Sequence, residues 1–413
     1  MILRARTLLP VTRPPIENGA VLISGNRIRA VGFWSDLKPG SGEKLLDLGE
    51  VILLPGLVNA HCHLDYTDMA GELPPPKCFT DWIPLITVAK TAWSYSDYAR
   101  SWLHGAHMLV RSGTTTVADI EAMPDLLPEV WNATPLRVFS FLEMTGIRAR
   151  RQPKEILVEA VDKIESLSHP RCSAFLSPHA PYSTLPELLR SSAKTARERR
   201  WPICTHVAES TDEFEMFTRA GGAMYDWLRR NFRDMSDCGL GSPIEHLARN
   251  KMLGRNLIAV HANLLAGGDI ALLSKHRVNV VHCPRSHAYF CHPPFRRERL
   301  ANNGINLCLG TDSLATVRKT GKEKPELNLF EEMRTFADND KTVAPVEILR
   351  MATANGARAL GLSGQIGELA SDTLADLIAI PDAGKKDVYE TVLNHAGSIS
   401  ASMIDGHWAI PPK

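Results

Sequence analysis

The sequence predicts an α/β fold, a (β/α)8 TIM-like barrel with a small β domain formed by both chain ends. Through the middle of the 413 residues, apolar strand-like runs alternate with helical stretches, as in a barrel of parallel strands. Both ends of the chain instead show short runs of alternating apolar and polar residues, which are typical of half-buried strands. We therefore expect a small β domain from residues 1–54 and 366–413, and a barrel from residues 55–365.

The two ends of the chain predict the β domain separately. Near the start, "GAVLISGNRIRAVG" contains two alternating runs split by "SGN", which is a hairpin signal. Near the end, "GQIGELASDTLADLIAIP" and "VYETVLNHAGSISASMIDG" return to strand character. We expect strands from both ends to share one sheet.

Eight strand candidates predict the barrel. They are 57–63, 114–120, 136–146, 172–181, 202–210, 257–265, 278–286 and 305–313. Helical stretches such as "PKEILVEAVDKIESL" and "LPELLRSSAKTARERR" lie between them. Two further helical stretches, "PELNLFEEMRTF" and "PVEILRMATANGARALGL", follow the last candidate. A doubly wound open sheet would show the same alternation, so periodicity alone leaves the closure of the sheet open.

Composition excludes several classes of protein. Apolar residues make up 44% and charged residues 23% of the chain, with a net charge of +1, so we expect no binding to nucleic acid or to an anionic membrane. No uninterrupted apolar stretch reaches the roughly 20 residues that a membrane span needs. The eight cysteines form no C-x-x-C pair and no secretory signal is evident, which indicates a cytoplasmic location.

Polar residues fall where the strand candidates end. His61 and His63 end the first candidate, and since residues i and i+2 of a strand point to one side, both should face the barrel mouth with Cys62 turned outward. His206 ends the fifth candidate and Asp312 ends the eighth. The carboxyl ends of barrel strands form a single active-site face, so these side chains should converge.

Three imidazoles and a carboxylate predict a metal site. Nitrogen and oxygen donors without a thiolate suit Zn²⁺, and Fe²⁺ or Mn²⁺ remain alternatives. Each residue has an ordinary explanation: H-x-H is common, His206 could be a core histidine, and Asp312 with Ser313 could cap a helix. Four such residues at the ends of their strand candidates are hard to explain by packing.

The motifs "PGLVNAHCHLD", "THVAE", "VHANLL" and "LGTDS" occur in this order along the chain. Together they resemble the amidohydrolase superfamily, and most closely its cytosine/adenine-type aminohydrolase branch, over nearly the whole chain. The resemblance implies a metal-dependent hydrolytic deaminase that releases ammonia from an aminated heterocycle. It also implies a homodimer and a small-molecule substrate.

The resemblance also implies a role for each residue. The ligands of a single Zn²⁺ per subunit would be His61, His63, His206 and Asp312. Glu209 matches the proton shuttle of the family, and His261 matches a histidine that orients the attacking water, with Asp312 assisting. No lysine stands on the fourth strand candidate, where dinuclear members often carry one, which favours one metal ion. His179, in "SPHAPYS", matches a substrate contact of the adenosine-type deaminases.

Four further residues are candidates for substrate binding. Trp82 could stack on a flat heterocycle or anchor its loop by packing, and Arg285 could bind a carboxylate or phosphate or form a surface salt bridge. Glu143 could line the pocket or hold neighbouring loops, and Ser313 adjoins the proposed ligand Asp312. Three features, the F-x-x-W segment, "FLEMTG" and "CPRSHAYF", resemble the aminodeoxyfutalosine deaminases, whose substrate is an adenosine derivative carrying a benzoate.

Three alternatives remain open at this point. Methylthioadenosine/S-adenosylhomocysteine deaminases usually carry an acidic residue shortly after the tryptophan segment, and "WIPLITVAKTAW" has none. A related amidohydrolase would cleave a cyclic amide, an amidine or a carbon–halogen bond. A non-enzyme would keep a barrel with a structural metal site, but such sites are closed and need no proton shuttle.

Overall fold

Two sheets organise the chain. The computed structural model describes residues 1–37, 42–147, 151–319, 324–382, 384 and 387–412. In these parts of the chain, one eight-stranded sheet is built from both ends of the sequence. A second eight-stranded sheet, in which all strands are parallel, is built from the middle.

The strands follow the predicted order. The N-terminal part of the first sheet consists of β1 (Ile2–Leu8), β2 (Ile16–Ser24), β3 (Arg27–Phe33), β4 (Leu45–Asp47) and β5 (Val51–Pro55). The parallel sheet consists of β6 (Leu57–Cys62), β7 (Thr114–Glu121), β8 (Arg137–Met144), β9 (Ser173–Pro178), β10 (Ile203–Val207), β11 (Leu257–His261), β12 (Asn279–His282) and β13 (Asn306–Leu309). The first sheet is completed by β14 (Leu377–Pro381), β15 (Ala401–Ile404) and β16 (His407–Ile410).

The terminal sheet joins the two ends of the chain directly. Its order is β16-β15-β14-β5-β1-β2-β3, with β4 beside β1. Strand β14 runs antiparallel to β5, pairing Leu377 with Pro55 and Pro381 with Val51. The β unit built from both chain ends is therefore confirmed, whereas the domain boundaries at 54/55 and 365/366 stay a prediction.

The parallel sheet closes on itself. The backbone N–H groups of Thr311 and Asp312, just after β13, donate to the carbonyl of His61 in β6 at 3.0 and 3.1 Å. Gly310 permits this approach, because a Cβ atom there would lie 2.8 Å from the carbonyl oxygen of His61. The open-sheet alternative is thereby excluded, and the predicted barrel is confirmed.

Helices alternate with the barrel strands along the chain and pack around the barrel. They are α1 (Phe79–Thr91), α2 (Tyr95–Arg111), α3 (Leu127–Asn132), α4 (Pro153–Ser166), α5 (Pro186–Glu198), α6 (Thr211–Arg219), α7 (Ala223–Arg230), α8 (Pro243–Arg249), α9 (Asp269–His276), α10 (Pro284–Tyr289), α11 (Arg297–Asn302), α12 (Leu329–Asn339), α13 (Pro345–Met351), α14 (Ala354–Ala359) and α15 (Val388–Leu393). Among the described residues, no helix combines the length and the apolar character that crossing a bilayer would require.

The barrel has two apolar layers. Inside it, side chains such as Phe141 of β8, Ile258 of β11 and Val281 of β12 pack together. Outside it, strand side chains pack against the helices, as Val117 of β7 does in the cluster that holds Trp102 of α2. Burying each large apolar side chain contributes about 1.5–3 kcal/mol, so the scaffold beneath the strand ends is rigid.

Several strand candidates overrun the observed strands, as 278–286 overruns Asn279–His282 and 305–313 overruns Asn306–Leu309, and one expected strand is a helix. The candidate 257–265 overruns its strand, because His261 and Ala262 have φ values of 74° and 47° and turn the chain out of β11. The segment "VYETVL" is not a strand but helix α15. Asp387 caps that helix by accepting from the backbone N–H groups of Tyr389 and Glu390, and such capping favours helix over strand.

Candidate active site

A bulge in β6 aims both histidines of the H-x-H motif into the barrel mouth. Asn59 pairs with Val117 and Cys62 pairs with Asp119, so three steps along β6 match two along β7. This extra residue resets the alternation of side chains. Cys62 consequently packs in the outer layer, and the rings of His61 and His63 lie 5.0 Å apart, measured between centroids. The shared orientation expected for the pair is observed, although it depends on the bulge.

His206, at the end of β10, completes a group of three imidazoles. Its Nδ1 lies 3.0 Å from the carbonyl oxygen of His179, so Nδ1 carries the proton and donates it, leaving Nε2 with a lone pair. That Nε2 lies 3.4 Å from Nε2 of His63. The donor atoms of His61, His63 and His206 all lie within 4.8 Å of one another.

Asp312 brings a carboxylate to the same three rings. Its Oδ1 lies 3.4 Å from Nε2 of His61 and 3.6 Å from Nε2 of His63. Burial alone would raise the pKa of Asp312, but close contact with His61 and the nearby rings of His261 and His63 hold it well below its ordinary value. Asp312 is therefore an ionised oxygen donor facing nitrogen donors.

Burial keeps two imidazoles of this group, those of His63 and His206, neutral. His63 is 7% exposed and its pKa is lowered to about 3, mainly by burial and then by His61. Burial also lowers the pKa of His206 well below its ordinary value. His61 is fully buried, and neither of its ring nitrogens makes a hydrogen bond within the described residues. Such orphaned buried nitrogens fit a cation-binding role, since metal ligation requires neutral imidazole.

Glu209 and His261 stand beside the donor group. Glu209 follows β10, where Ala208 turns the chain with a φ of 52°, and its Oε1 lies 3.5 Å from Nε2 of His261. Burial raises the pKa of Glu209 well above its ordinary value, and the charges of Asp312 and Glu213 add to this effect. Burial lowers the pKa of His261 to about 3. A carboxyl group with high proton affinity thus meets a neutral imidazole.

The backbone of Glu209 is fixed from two sides. Its N–H donates to Oε2 of Glu213 at 2.9 Å. Its carbonyl accepts from Nδ2 of Asn263 at 3.0 Å. Because the first turn of α6 and the segment after β11 hold the backbone, the carboxyl group is presented by a rigid support.

These groups form the floor of a cavity of about 760 Å³. Of the predicted site residues, those that line the cavity are His63, Trp82, Glu143, His179, His206, Glu209, His261, Asp312 and Ser313. His61 does not line it, because it lies buried among the other donor groups. The structure thus brings together ten of the eleven side chains that the sequence singled out.

His179 and Glu143 form part of the cavity wall. Nε2 of His179 lies 3.9 Å from Oε2 of Glu143, and Nδ1 lies 2.6 Å from Oγ of Ser183. Burial would raise the pKa of Glu143, but His179 and Lys90 outweigh it and lower the pKa below its ordinary value. The wall therefore presents an ionised carboxylate to whatever occupies the cavity.

Trp82 and Ser313 each make structural contacts as well. Trp82 lies on α1, where its ring packs against Phe79 and Phe290 with centroids 6.0 and 5.6 Å away. Oγ of Ser313 accepts from the N–H of Ala315 at 3.0 Å and so caps a short turn. Both side chains also border the cavity.

Arg285 was wrongly expected in the site. Its guanidinium contacts carboxylate oxygens of Glu332 and Glu331 at 2.5 Å each, and donates to the carbonyl of Glu326 at 3.0 Å. The side chain is 9% exposed and does not line the cavity. Since two carboxylates of α12 and the Glu326 carbonyl before it accept from the guanidinium, Arg285 forms a buried ion pair rather than a substrate contact or a surface salt bridge.

Sequence reasoning missed two cations of the cavity lining, Lys90 and Arg151. Lys90 lies on α1 with its ammonium 4.7 Å from the ring centroid of Tyr66. Arg151 pairs with Glu159 on α4. Trp82 and Lys90 are eight residues apart in a helix, a spacing that places both on one helix face, and this spacing could have identified the lysine.

Comparison with known proteins places the chain among hydrolases. Residues 52–409 match the sequence profile of the amidohydrolase family. The 5-methylthioadenosine/S-adenosylhomocysteine deaminase of Syntrophobacter fumaroxidans is 32% identical over 388 residues, covering 88% of this chain and 80% of that protein.

Two solved structures share the fold. One is an adenosine deaminase from Xanthomonas campestris with bound zinc, at a TM-score of 0.84 and 23% identity, covering 99% of this chain and 92% of that one. The other is Helicobacter pylori aminofutalosine deaminase in complex with methylthio-coformycin, at a TM-score of 0.86 and 20% identity, covering 99% and 100%. At these low identities the likeness is one of fold.

Proposed function

The chain belongs to the amidohydrolase family, and we propose that it is a metal-dependent deaminase of a 6-aminopurine nucleoside derivative. The chain is a hydrolase that acts on carbon–nitrogen bonds, because it belongs to this family and its relative at 32% identity is named a deaminase. One observation carries the proposal. Four metal-donor side chains and the Glu209–His261 pair share the floor of a single cavity.

The donor set fits one divalent cation. Three imidazoles, from His61, His63 and His206, meet the ionised carboxylate of Asp312, and the ring nitrogens of His61 make no hydrogen bond within the described residues. We propose Zn²⁺, one ion per subunit, with Fe²⁺ or Mn²⁺ as alternatives for the same donors. When bound, such an ion acts as a Lewis acid and acidifies the attacking water.

The proton transfers fall to Glu209. Its raised pKa gives the carboxylate a high affinity for the proton that it takes from water. It then delivers that proton to the ring nitrogen next to the carbon that bears the amino group. His261, held neutral, and ionised Asp312 orient the water and manage its second proton. Water and the amine are exchanged for a ring carbonyl and ammonia.

For the substrate, we propose aminodeoxyfutalosine. Aromatic and aliphatic side chains of α1, among them Phe79, Trp82 and Ile83, line the outer part of the cavity. Lys90 and Arg151 add positive charge to that lining. An apolar wall with two cations suits the benzoate of this substrate. These two cations take the carboxylate-binding role that was first expected of Arg285.

A methylthioadenosine/S-adenosylhomocysteine deaminase is the second candidate. The relative with that name at 32% identity favours it. The lack of an acidic residue between Trp82 and Trp93 weighs against it. The homodimer and the cytoplasmic location that the sequence predicts stay predictions.

Ammonia release tests the proposed reaction. The zinc-loaded protein would be offered aminodeoxyfutalosine, methylthioadenosine, S-adenosylhomocysteine, adenosine, guanine and cytosine, with a chelated sample as control. We expect chelator-sensitive ammonia, with the highest kcat/KM for aminodeoxyfutalosine. If no compound yields ammonia while zinc is bound, the deaminase proposal fails and cleavage of a cyclic amide, amidine or carbon–halogen bond takes its place.

Lys90→Met tests the substrate separately from the reaction. Losing a charged contact of about 1.5–3 kcal/mol should raise KM for aminodeoxyfutalosine about tenfold or more. KM for methylthioadenosine, which has no carboxylate, should not change. Lys77→Met, which removes an exposed lysine before α1, is the matched control. An equal effect of Lys90→Met on both substrates would refute the carboxylate contact while leaving deamination intact.

A further inference from the structure

A second cavity lies at the opposite end of the barrel from the candidate active site. Its volume is about 770 Å³, and it opens among the amino-terminal ends of the strands from β9 to β13. Four exposed arginines line it, namely Arg200, Arg255, Arg277 and Arg358. The described residues of its lining include no carboxylate. We call this feature the arginine cavity.

The arginine side chains retain unused hydrogen-bond donors. Within the described residues, the guanidinium groups of Arg200, Arg255 and Arg277 have neither a hydrogen bond nor an ion pair. Arg358 donates to Oδ1 of Asn306. Arg285, by contrast, is held by two carboxylates. The arginine cavity therefore concentrates positive charge without internal neutralisation.

The floor of the cavity is already hydrogen-bonded within itself. Nδ2 of Asn306 donates to Oδ1 of Asn279 at 2.9 Å, and Nδ2 of Asn279 donates to the carbonyls of Arg255 and Leu257 at 3.0 and 3.1 Å. These amides are thus occupied. A ligand would find its hydrogen-bond donors on the arginine rim, above a fixed floor.

Helix ends explain part of the arrangement. Arg277 is the C-cap of α9, Arg358 lies in the last turn of α14, and Arg200 follows the C-cap of α5. A cation at a helix carboxyl end contributes about 0.3–1 kcal/mol. Arg255, however, lies in the loop before β11, beyond any helix end. Helix dipoles do not require four cations around one concavity without a carboxylate.

We propose that the arginine cavity binds a small molecule bearing at least two phosphate groups. Guanidinium presents planar paired donors that match phosphate oxygens, and several such groups suit a ligand with three or more negative charges. Both inorganic polyphosphate and nucleoside polyphosphates supply this chemistry. The inference is independent of the reaction at the other end of the barrel.

Calorimetric titration of the zinc-loaded protein tests the proposal. The probes are tripolyphosphate, ATP and AMP, at low and at physiological ionic strength. We expect saturable binding of tripolyphosphate and ATP that weakens with salt, and much weaker binding of AMP. Tighter binding of ATP than of tripolyphosphate that is lost in Arg255→Glu would identify a nucleotide site in the arginine cavity, and equal binding would identify a polyphosphate site. Absence of saturation by both would overturn the proposal.

Matched variants locate the binding. Arg255→Glu should lower the affinity for tripolyphosphate about tenfold or more, and Arg277→Gln should lower it as well. Arg13→Glu makes the same charge change at an exposed arginine between β1 and β2, outside the cavity, and should have no such effect. Equal losses from Arg255→Glu and Arg13→Glu would show general charge attraction and overturn the site. Thermal unfolding of each variant verifies that it is folded.

Discussion

Replacing Glu209 by glutamine separates proton transfer from every other property of the site. Glutamine keeps the size of the side chain and its contact distance to His261. The two hydrogen bonds that fix this residue involve its backbone N–H and carbonyl, so Glu209→Gln leaves them in place. The donor set of the metal does not include Glu209. Only the ability to accept and return a proton is lost.

The expected loss is large because the environment of Glu209 favours its protonated form. Burial and the charge of Asp312 raise its pKa well above the ordinary value, so the carboxyl group has the high proton affinity that a shuttle needs. General acid–base catalysis contributes roughly a hundredfold to ten-thousandfold. At 1.36 kcal/mol for each factor of ten, that is about 3–5 kcal/mol of activation free energy. We expect kcat of Glu209→Gln to fall about a thousandfold, with little change in KM.

Ammonia release at saturating substrate measures the loss, and metal analysis accompanies it. Glu215→Gln, a change on the exposed side of α6, the helix that follows Glu209, is the control and should retain full activity. A Glu209→Gln protein that keeps turnover within a few-fold of the parent would refute the shuttle. A variant that loses its zinc would show instead that Glu209 is a ligand.

Three other substitutions test the surrounding structure. His206→Ala should lose most bound zinc on dialysis, because it removes one of three imidazoles, and unchanged metal content would exclude it from the donor set. Burial raises the pKa of Glu213 from 4.5 to about 7, so between these pH values the folded protein binds a proton that the unfolded chain releases. The free energy of unfolding therefore falls by about 3 kcal/mol as pH rises through this range. Glu213→Gln should not show this fall. Chemical denaturation at several pH values measures the difference, and parallel curves would contradict it. Arg285→Met should lower the free energy of unfolding by about 3–5 kcal/mol, because it leaves Glu332 buried without its partner. KM should not change, and adding Glu332→Gln should restore part of the stability. A raised KM would show that Arg285 contacts substrate.

The local sequence predicts the position of a site residue correctly where that position depends on a single strand. Each barrel strand is a short apolar run, and a polar residue at or just after its carboxyl end, such as His206 or Asp312, stands on the shared face by the geometry of parallel strands. For that reason the floor of the cavity, apart from the inward turn of His61, could be predicted without knowing any contact between strands. The same reasoning placed strands from both chain ends in one sheet.

Local sequence failed where a distant partner decided the outcome. The partners of Arg285 are Glu331 and Glu332, more than forty residues later on α12, and no pattern around the arginine indicates them. Lys90 enters the cavity because α1 folds over the barrel mouth. The bulge that turns His61 inward is a property of how β6 pairs with β7.

The charges at the floor explain why the shuttle and the proposed metal depend on each other. Burial lowers the pKa of His63 to about 3 and that of His206 well below its ordinary value, so these two ligands are neutral and the ionised Asp312 supplies negative charge to the donor set. A divalent cation there would make the floor net positive. That positive charge would lower the pKa of Glu209 from the high value that burial gives it, toward the range in which a carboxyl group both takes and returns a proton at neutral pH. Burial supplies the neutral ligands and the high proton affinity together, and the cation brings that affinity back to a useful value.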